Sequence, residues 1–131
     1  MQLQILIGVA LGGALGALGR YVMVSQVSHA FGPWLGGFPL GTLSVNVLGS
    51  FAMGLLVEAF ALAWSPPEAL RAFLTVGLLG AFTTFSTFSM EAVLLYERGA
   101  LLPAAGYIGA SVVLSITGFV AGLALVRAVV A

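Results

Sequence analysis

Residues 70–96 read LRAFLTVGLLGAFTTFSTFSMEAVLLY, a stretch that is apolar at both ends and polar in its middle. A membrane-spanning helix needs about 20 mostly apolar residues, and this stretch is long enough. Residues 80–89 nevertheless contain five hydroxyl side chains, which compete with the helix for backbone hydrogen bonds. Gly77 and Gly80 weaken a helix further. We therefore predict a transmembrane helix over about 70–96 that is broken near 80–87.

A break at this depth has a chemical consequence. Non-helical backbone is tolerated inside a membrane only where it is buried in protein or lines a cavity. The break also exposes carbonyl groups at the end of one half-helix and N–H groups at the start of the other, and such ends bind ions. The stretch thus predicts an ion-binding region near mid-membrane.

The rest of the chain is as apolar as this stretch. Of 131 residues, 61% are hydrophobic and 6% are charged, whereas a typical soluble domain is about a quarter charged. Four segments are long enough to span a bilayer, at about 3–24, 40–64, 70–96 and 102–126, and Gly32-Pro33-Trp34 is expected in the first loop. We predict an all-α membrane protein with a single four-helix transmembrane domain over residues 1–131.

Several functions are disfavoured by composition. The net charge is zero, and nucleic-acid binding needs clustered Lys and Arg. The absence of cysteine excludes thiol chemistry, and a lone His29 without any Asp argues against a catalytic metal site. Because the sequence shows no nucleophile–base pair or metal-ligand cluster, we do not expect an enzyme.

The arginines do not specify an orientation in the membrane. Arg71 and Arg127 fall on one side of the predicted bundle, Arg20 and Arg98 fall on the other, and there is no lysine. The bias of Lys and Arg normally decides which side faces the cytoplasm. We interpret the balance as dual topology, with assembly into an antiparallel homodimer. The alternative is that a few atypical residues, or the insertion machinery, fix one orientation.

Polar residues form two stripes with a spacing of four: Thr42, Asn46 and Ser50 in the second helix, and Tyr107, Ser111 and Ser115 in the fourth. Each stripe lies on one helix face, and a polar face turned to lipid is costly. The stripes should therefore face protein or water. Hydrogen bonds between helices are the simpler explanation for the hydroxyls. Asn46 is less common within a membrane and supplies two N–H donors.

Phe85 and Phe88 add a second element to this polar region. They are three residues apart, so a helical turn places them on one side. Aromatic rings have positive edges, and a dehydrated anion could be stabilised by ring edges and neutral donors. Such weak contacts suit fast conduction. The alternative is ordinary aromatic core packing.

Arg20, near the end of the first helix, either snorkels to the interface or attracts entering anions.

Three motifs resemble one known family in order and spacing. Residues 13–21 (GALGALGRY), 41–51 (GTLSVNVLGSF) and 77–89 (GLLGAFTTFSTFS) are similar to the signatures of the Fluc (CrcB) fluoride channels. The resemblance implies an antiparallel homodimer with two fluoride pores in the plasma (inner) membrane of a prokaryote. It further implies passive, selective export of fluoride from the cytoplasm.

The resemblance also assigns roles to individual residues. Asn46 is expected to donate to fluoride, and Phe85 and Phe88 to present their ring edges to it. Arg20 is expected at a vestibule, and the backbone carbonyls of Gly80 and Thr83 at a structural sodium ion. Further residues are expected to line the fluoride path: Thr42, Thr87, Tyr107, Ser111 and Ser115.

Two other functions are possible alternatives to a fluoride channel. A small dual-topology multidrug exporter would also have four helices, but it needs a membrane-embedded carboxylate for proton exchange. The first helix contains no acidic residue. A non-transporting assembly or regulatory membrane protein would leave the polar stripes and Asn46 unexplained.

Overall fold

The computed structural model describes residues 2–131, and these residues form helices joined by short turns. Four helical segments are long and apolar enough to cross a membrane: Gln2–Leu35, Leu40–Leu62, Glu68–Glu97 and Leu101–Val130. Connections are short, so consecutive spans are antiparallel neighbours. The prediction of an all-α protein with four membrane spans is confirmed.

The first helix, α1 (Gln2–Leu35), is much longer than the sequence suggested. The prediction that it ends near residue 24, with residues 32–34 in a loop, is wrong. Hydropathy marks where a chain leaves the hydrocarbon core, whereas the helix can continue in the polar interface. Its 34 residues extend for about 51 Å, well beyond the roughly 30 Å core. Pro33 lies within the last turn, and α1 ends at Gly36 and Gly37, whose φ angles are +58° and +89°.

The third span is discontinuous, as predicted. It begins with α3 (Glu68–Ala72), continues through a π-helical segment (Phe73–Leu79) and ends its first half with α4 (Gly80–Phe82). Thr83 and Thr84 are extended, with ψ angles of 160° and 121°, and they interrupt the helix. The second half is α5 (Phe85–Glu97). The π-helical segment upstream of the break was not predicted.

Thr84 shows why the second half starts where it does. Its hydroxyl oxygen accepts a hydrogen bond from the Thr87 N–H at 3.2 Å, so it is the N-cap of α5. A cap of this kind satisfies one of the free N–H groups at a helix start. The hydroxyl residues that weaken a continuous helix thus also cap the start of the second half-helix.

The two remaining spans are α2 (Leu40–Leu62) and α6 (Leu101–Val130), and they pack extensively against each other. Glycines allow their backbones to approach closely. A Cβ atom at Gly54 would overlap the Phe119 carbonyl, and one at Gly122 would overlap the Phe51 carbonyl. In lipid, where apolar surface does not drive association, such close approach is a main source of packing energy.

A second glycine contact joins α1 to the first half of the third span. A Cβ atom at Gly12 would overlap the Phe73 carbonyl, and one at Gly16 would overlap the Leu78 carbonyl. The small residues of α1 therefore hold the π-helical segment in place. Gly13, one position away, has open space where a Cβ would be.

We predict that Gly12→Ala destabilises the protein and that Gly13→Ala does not. Alanine favours a helix by up to about 1 kcal/mol over glycine, but overpacking costs about 1–3 kcal/mol. Only Gly12→Ala meets a backbone that cannot move aside. Thermal denaturation in detergent, followed by size-exclusion chromatography, measures the difference. Equal midpoints for both variants would contradict close packing of α1 against the π-helical segment.

Candidate functional site

The two polar stripes meet the broken helix at one cavity, here called the central groove, of about 310 Å³. It is open on one side of the chain. Its walls come from α2, the break, α5 and α6: Asn46, Ser50, Thr83, Thr84, Phe85, Phe88, Ser111, Val112, Ser115 and Ile116. The groove therefore combines hydroxyl groups, a carboxamide and aromatic rings, and no charged side chain lines it.

Asn46 is bonded directly to the broken backbone. Its Nδ2 donates to the Thr84 carbonyl at 2.9 Å, and the Thr84 N–H donates to its Oδ1 at 2.7 Å. These two hydrogen bonds fix the orientation of the carboxamide, because a flipped amide would place its N–H groups against the Thr84 N–H. The second N–H group on Nδ2 takes no part in these two hydrogen bonds. Asn46 thus both holds the break and has a donor left for the groove it lines.

The break changes which backbone carbonyls are paired. In a continuous helix the Thr84 N–H would bond to the Gly80 carbonyl, but here it donates to Asn46. The Thr87 N–H would likewise bond to the Thr83 carbonyl, but it donates to the Thr84 hydroxyl. The two carbonyls singled out in the sequence thereby lose their helical partners. Carbonyl oxygens of this kind suit a hard cation.

Within residues 2–131, no group of three His, Cys, Asp or Glu side chains could hold a metal ion. A cation at the break would therefore depend on oxygen atoms of the backbone or of hydroxyl groups.

The two phenylalanines of the motif differ in exposure. Phe88 is buried and its ring lies 5.2 Å from that of Tyr107, centroid to centroid. Phe85 is 77% exposed, and its ring lies 5.5 Å from that of Phe88. Phe88 is therefore anchored in the core of the bundle, whereas Phe85 extends from the surface of the single chain.

Two buried hydroxyl groups on α6 face the bundle interior. Tyr107 is fully buried and Ser111 is 6% exposed. Neither the Tyr107 Oη nor the Ser111 Oγ has a hydrogen-bond partner among the described residues. An unsatisfied buried hydroxyl costs about 1–3 kcal/mol, so both groups are suited to bind an ion or a water molecule.

Thr42, Thr87 and Arg20 lie in a second cavity, the Arg20 groove, of about 400 Å³. Its other lining residues are Ala17, Tyr21, Val24, Ser25 and Thr84. Thr84 lines both grooves, so the break is the point at which they adjoin. The remaining residues singled out in the sequence lie elsewhere: Asn46, Thr83, Phe85, Phe88, Ser111 and Ser115 line the central groove, whereas Tyr107 and Gly80 line neither cavity.

The sequence did not identify Glu91 and Thr84 as candidate site residues. Thr42 donates from Oγ1 to Glu91 Oε1 at 2.6 Å, which joins α2 to α5. A carboxylate inside a membrane span is rare, and that rarity alone could have marked Glu91. The pairing of Thr84 with Asn46 joins residues 38 positions apart and leaves no periodic signal in the sequence.

Comparison with known proteins agrees with these features. A model of the family described as CrcB-like protein, Camphor Resistance (CrcB), matches residues 7–123. A Rhodospirillum centenum protein named fluoride-specific ion channel FluC is 51% identical over 130 residues, which cover 98% of this chain and 100% of the relative. A protein of the same name from Nitrobacter winogradskyi is 47% identical over 130 residues, with the same coverage.

A third relative of that name, from Agrobacterium fabrum, is 51% identical over 119 residues, which cover 91% of this chain and 93% of the relative. The relatives are named as channels rather than enzymes, as the composition led us to expect. The match over most of the chain confirms the resemblance seen in the three motifs: this multi-pass membrane protein of a prokaryote belongs to the CrcB-like family.

Proposed function

We propose that the protein is a passive, selective fluoride channel that exports fluoride from the cytoplasm across the plasma (inner) membrane. The central groove carries this proposal, because neutral donors and aromatic rings meet there at a broken helix without any charged side chain. The relatives named as fluoride-specific ion channels support the choice of fluoride.

The chemistry of the groove suits a small, strongly hydrated anion. A conducting site must replace the water around the ion and still release it quickly. The second N–H of Asn46 and the hydroxyl of Ser111 supply hydrogen bonds. The positive ring edges of Phe85 and Phe88 supply weaker attraction. An Arg or Lys in the same groove would hold the ion too tightly for fast passage.

The remaining residues extend the path on either side. The Tyr107 hydroxyl lies one helical turn from Ser111 on α6, and Ser115 lies one turn on the other side. Thr42 and Thr87 continue the polar lining toward the Arg20 groove. Arg20 is proposed as the vestibule residue that attracts the anion before it loses water.

A second copy of the chain completes the site in this proposal. The central groove is open on one side, and Phe85 is largely exposed there. A polar groove that faced acyl chains would be costly, so another protein surface should cover it. The balanced arginines favour an antiparallel homodimer, which would contain two equivalent pores.

The residues at the break fit the expected structural sodium ion. The Gly80 and Thr83 carbonyls, which lack their usual helical partners, are proposed to hold it. A bound sodium ion would supply positive charge between carbonyl groups that would otherwise repel one another. In a homodimer it would also stabilise the contact between the two broken helices.

An exporter of cationic drugs is less consistent with this site. Such a protein needs a carboxylate where its substrate binds. Glu91 is a membrane-embedded carboxylate, but it is bonded to Thr42 and does not line the central groove.

Fluoride efflux from liposomes tests the proposed function. We expect purified protein to release fluoride, but not chloride, once valinomycin and potassium remove the opposing membrane potential. Flux should need no proton gradient, because the path is passive. Ion-selective electrodes measure both anions. Chloride efflux as fast as fluoride efflux, or no fluoride efflux at all, would contradict the proposal.

Asn46→Asp tests the residue that joins the break to the groove. The substitution keeps the acceptor for the Thr84 N–H, removes the donor to the Thr84 carbonyl and places an acidic group in the path. We expect fluoride flux to fall by at least about tenfold, because each lost hydrogen bond is worth about 1 kcal/mol and charge repulsion adds to it.

Ser44→Ala is the matched control, because among residues 2–131 the Ser44 hydroxyl bonds only to the Leu40 carbonyl of its own helix. It should conduct like the wild type. Undiminished flux in Asn46→Asp would remove Asn46 from the path.

A further inference from the structure

A third cavity opens where the α1–α2 connection meets the end of α5. It measures about 260 Å³, and we call it the Arg98 groove. Its lining residues are Gly37, Pro39, Glu91, Leu94, Leu95 and Arg98. Arg98 also lines a neighbouring hollow of about 270 Å³ beside Leu35 and Pro103. The arginine is therefore placed between the two loops at this end of the bundle.

The backbone of Gly37 makes room for the guanidinium. A Cβ atom at Gly37 would lie 3.3 Å from Arg98 Nη1, and the glycine has a φ of +89°. Most other residues would adopt this conformation only with strain. Glycine thus lets the arginine pack against bare backbone at the rim of the groove.

The Arg98 groove lies next to the proposed fluoride path. Glu91 lines the groove and accepts the hydrogen bond from Thr42. Thr42 lies one helical turn, about 6 Å, from Asn46 along α2, and Asn46 lines the central groove. The Thr42–Glu91 hydrogen bond therefore links the Arg98 groove to α2, the helix that carries Asn46.

The charge of Arg98 is not cancelled by an ion pair. Among residues 2–131, the one salt bridge joins Arg127 to Glu58, with Nε and Oε1 2.6 Å apart. Glu97 precedes Arg98 but lines neither of its cavities. Glu91 shares the groove, with Oε1 already bonded to Thr42. A cation at the rim of a low-dielectric cleft raises the local concentration of anions.

We propose that Arg98, supported by Gly37, forms a mouth of the fluoride path, where its positive charge offsets the Glu91 carboxylate of the same groove and hydrated small anions can gather. This inference rests on the proposed channel function. The arginine acts at a distance from the dehydrated ion, so it speeds entry without holding the ion in the narrow part of the path.

Ionic strength distinguishes this electrostatic role from a structural one. The Debye length is about 30 Å at 0.01 M salt and about 3 Å at 1 M, so attraction by an exposed charge disappears in high salt. We expect Arg98→Gln to lower fluoride flux about threefold at low ionic strength, as one charge a few ångströms from the ion would do in water. The supporting salt should have a large organic anion that does not permeate.

At high ionic strength the variant and the wild type should conduct equally, and the ratio of fluoride to chloride flux should be unchanged at both. Arg71→Gln is the matched control, because it removes the same charge at the opposite end of the third span, where Arg71 lines neither Arg98 cavity and packs 4.8 Å from the centre of the Phe60 ring. Its ionic-strength response should match that of the wild type.

Arg98→Lys keeps the charge, so its fluoride flux should keep the wild-type salt dependence. This variant provides a second test if Arg98→Gln folds poorly. Equal flux in Arg98→Gln and the wild type at low salt would overturn the proposal. So would a loss of the same size at both salt concentrations, or a lost salt dependence in Arg98→Lys. Absence of fluoride flux in the wild type itself would instead refute the channel function.

Discussion

Two hydrogen bonds between Asn46 and the backbone of Thr84 allow a membrane-spanning helix to stop and start again in mid-span. In a bilayer each unsatisfied backbone group costs several kcal/mol, because no water is present to bond it. A side chain that offers both a donor and an acceptor can replace the helical partners at one residue. Asparagine does this without charge, and the groove around the break therefore stays neutral.

The packing of the helices brings the remaining groups to that point. Glycines in α2 and α6 let these helices approach closely, so the Asn46 stripe and the Ser111 stripe share one groove. Glycines in α1 hold the π-helical segment, and this contact fixes the first half of the third span. The second half then begins after its N-cap Thr84 and presents Phe85 and Phe88 to the groove. The neutral lining distinguishes this groove from the cavities that contain Arg20 and Arg98.

The sequence predicts features that depend on composition and on local preference. Hydropathy identifies the four spans, and the clustered hydroxyl residues identify the break. The end of α1 could not be predicted this way, because the residues after Val24 are polar enough to leave the membrane yet remain helical. The π-helical segment depends on contacts with Gly12 and Gly16, which are far away in sequence. A spacing of four places Thr42 and Asn46 on one face of α2, but it does not show that Thr42 meets Glu91 while Asn46 meets Thr84.

In the proposed channel, the break held by Asn46 is the place where a dehydrated fluoride ion rests between neutral donors and ring edges. A high-resolution structure of the assembled protein in a lipid nanodisc, determined with and without fluoride, tests this placement of the ion. We expect an antiparallel dimer in which fluoride-dependent density lies within hydrogen-bond distance of Asn46 Nδ2 and at the edge of a Phe85 or Phe88 ring. A continuous helix through Thr83 and Thr84, or Phe85 turned toward acyl chains, would contradict it.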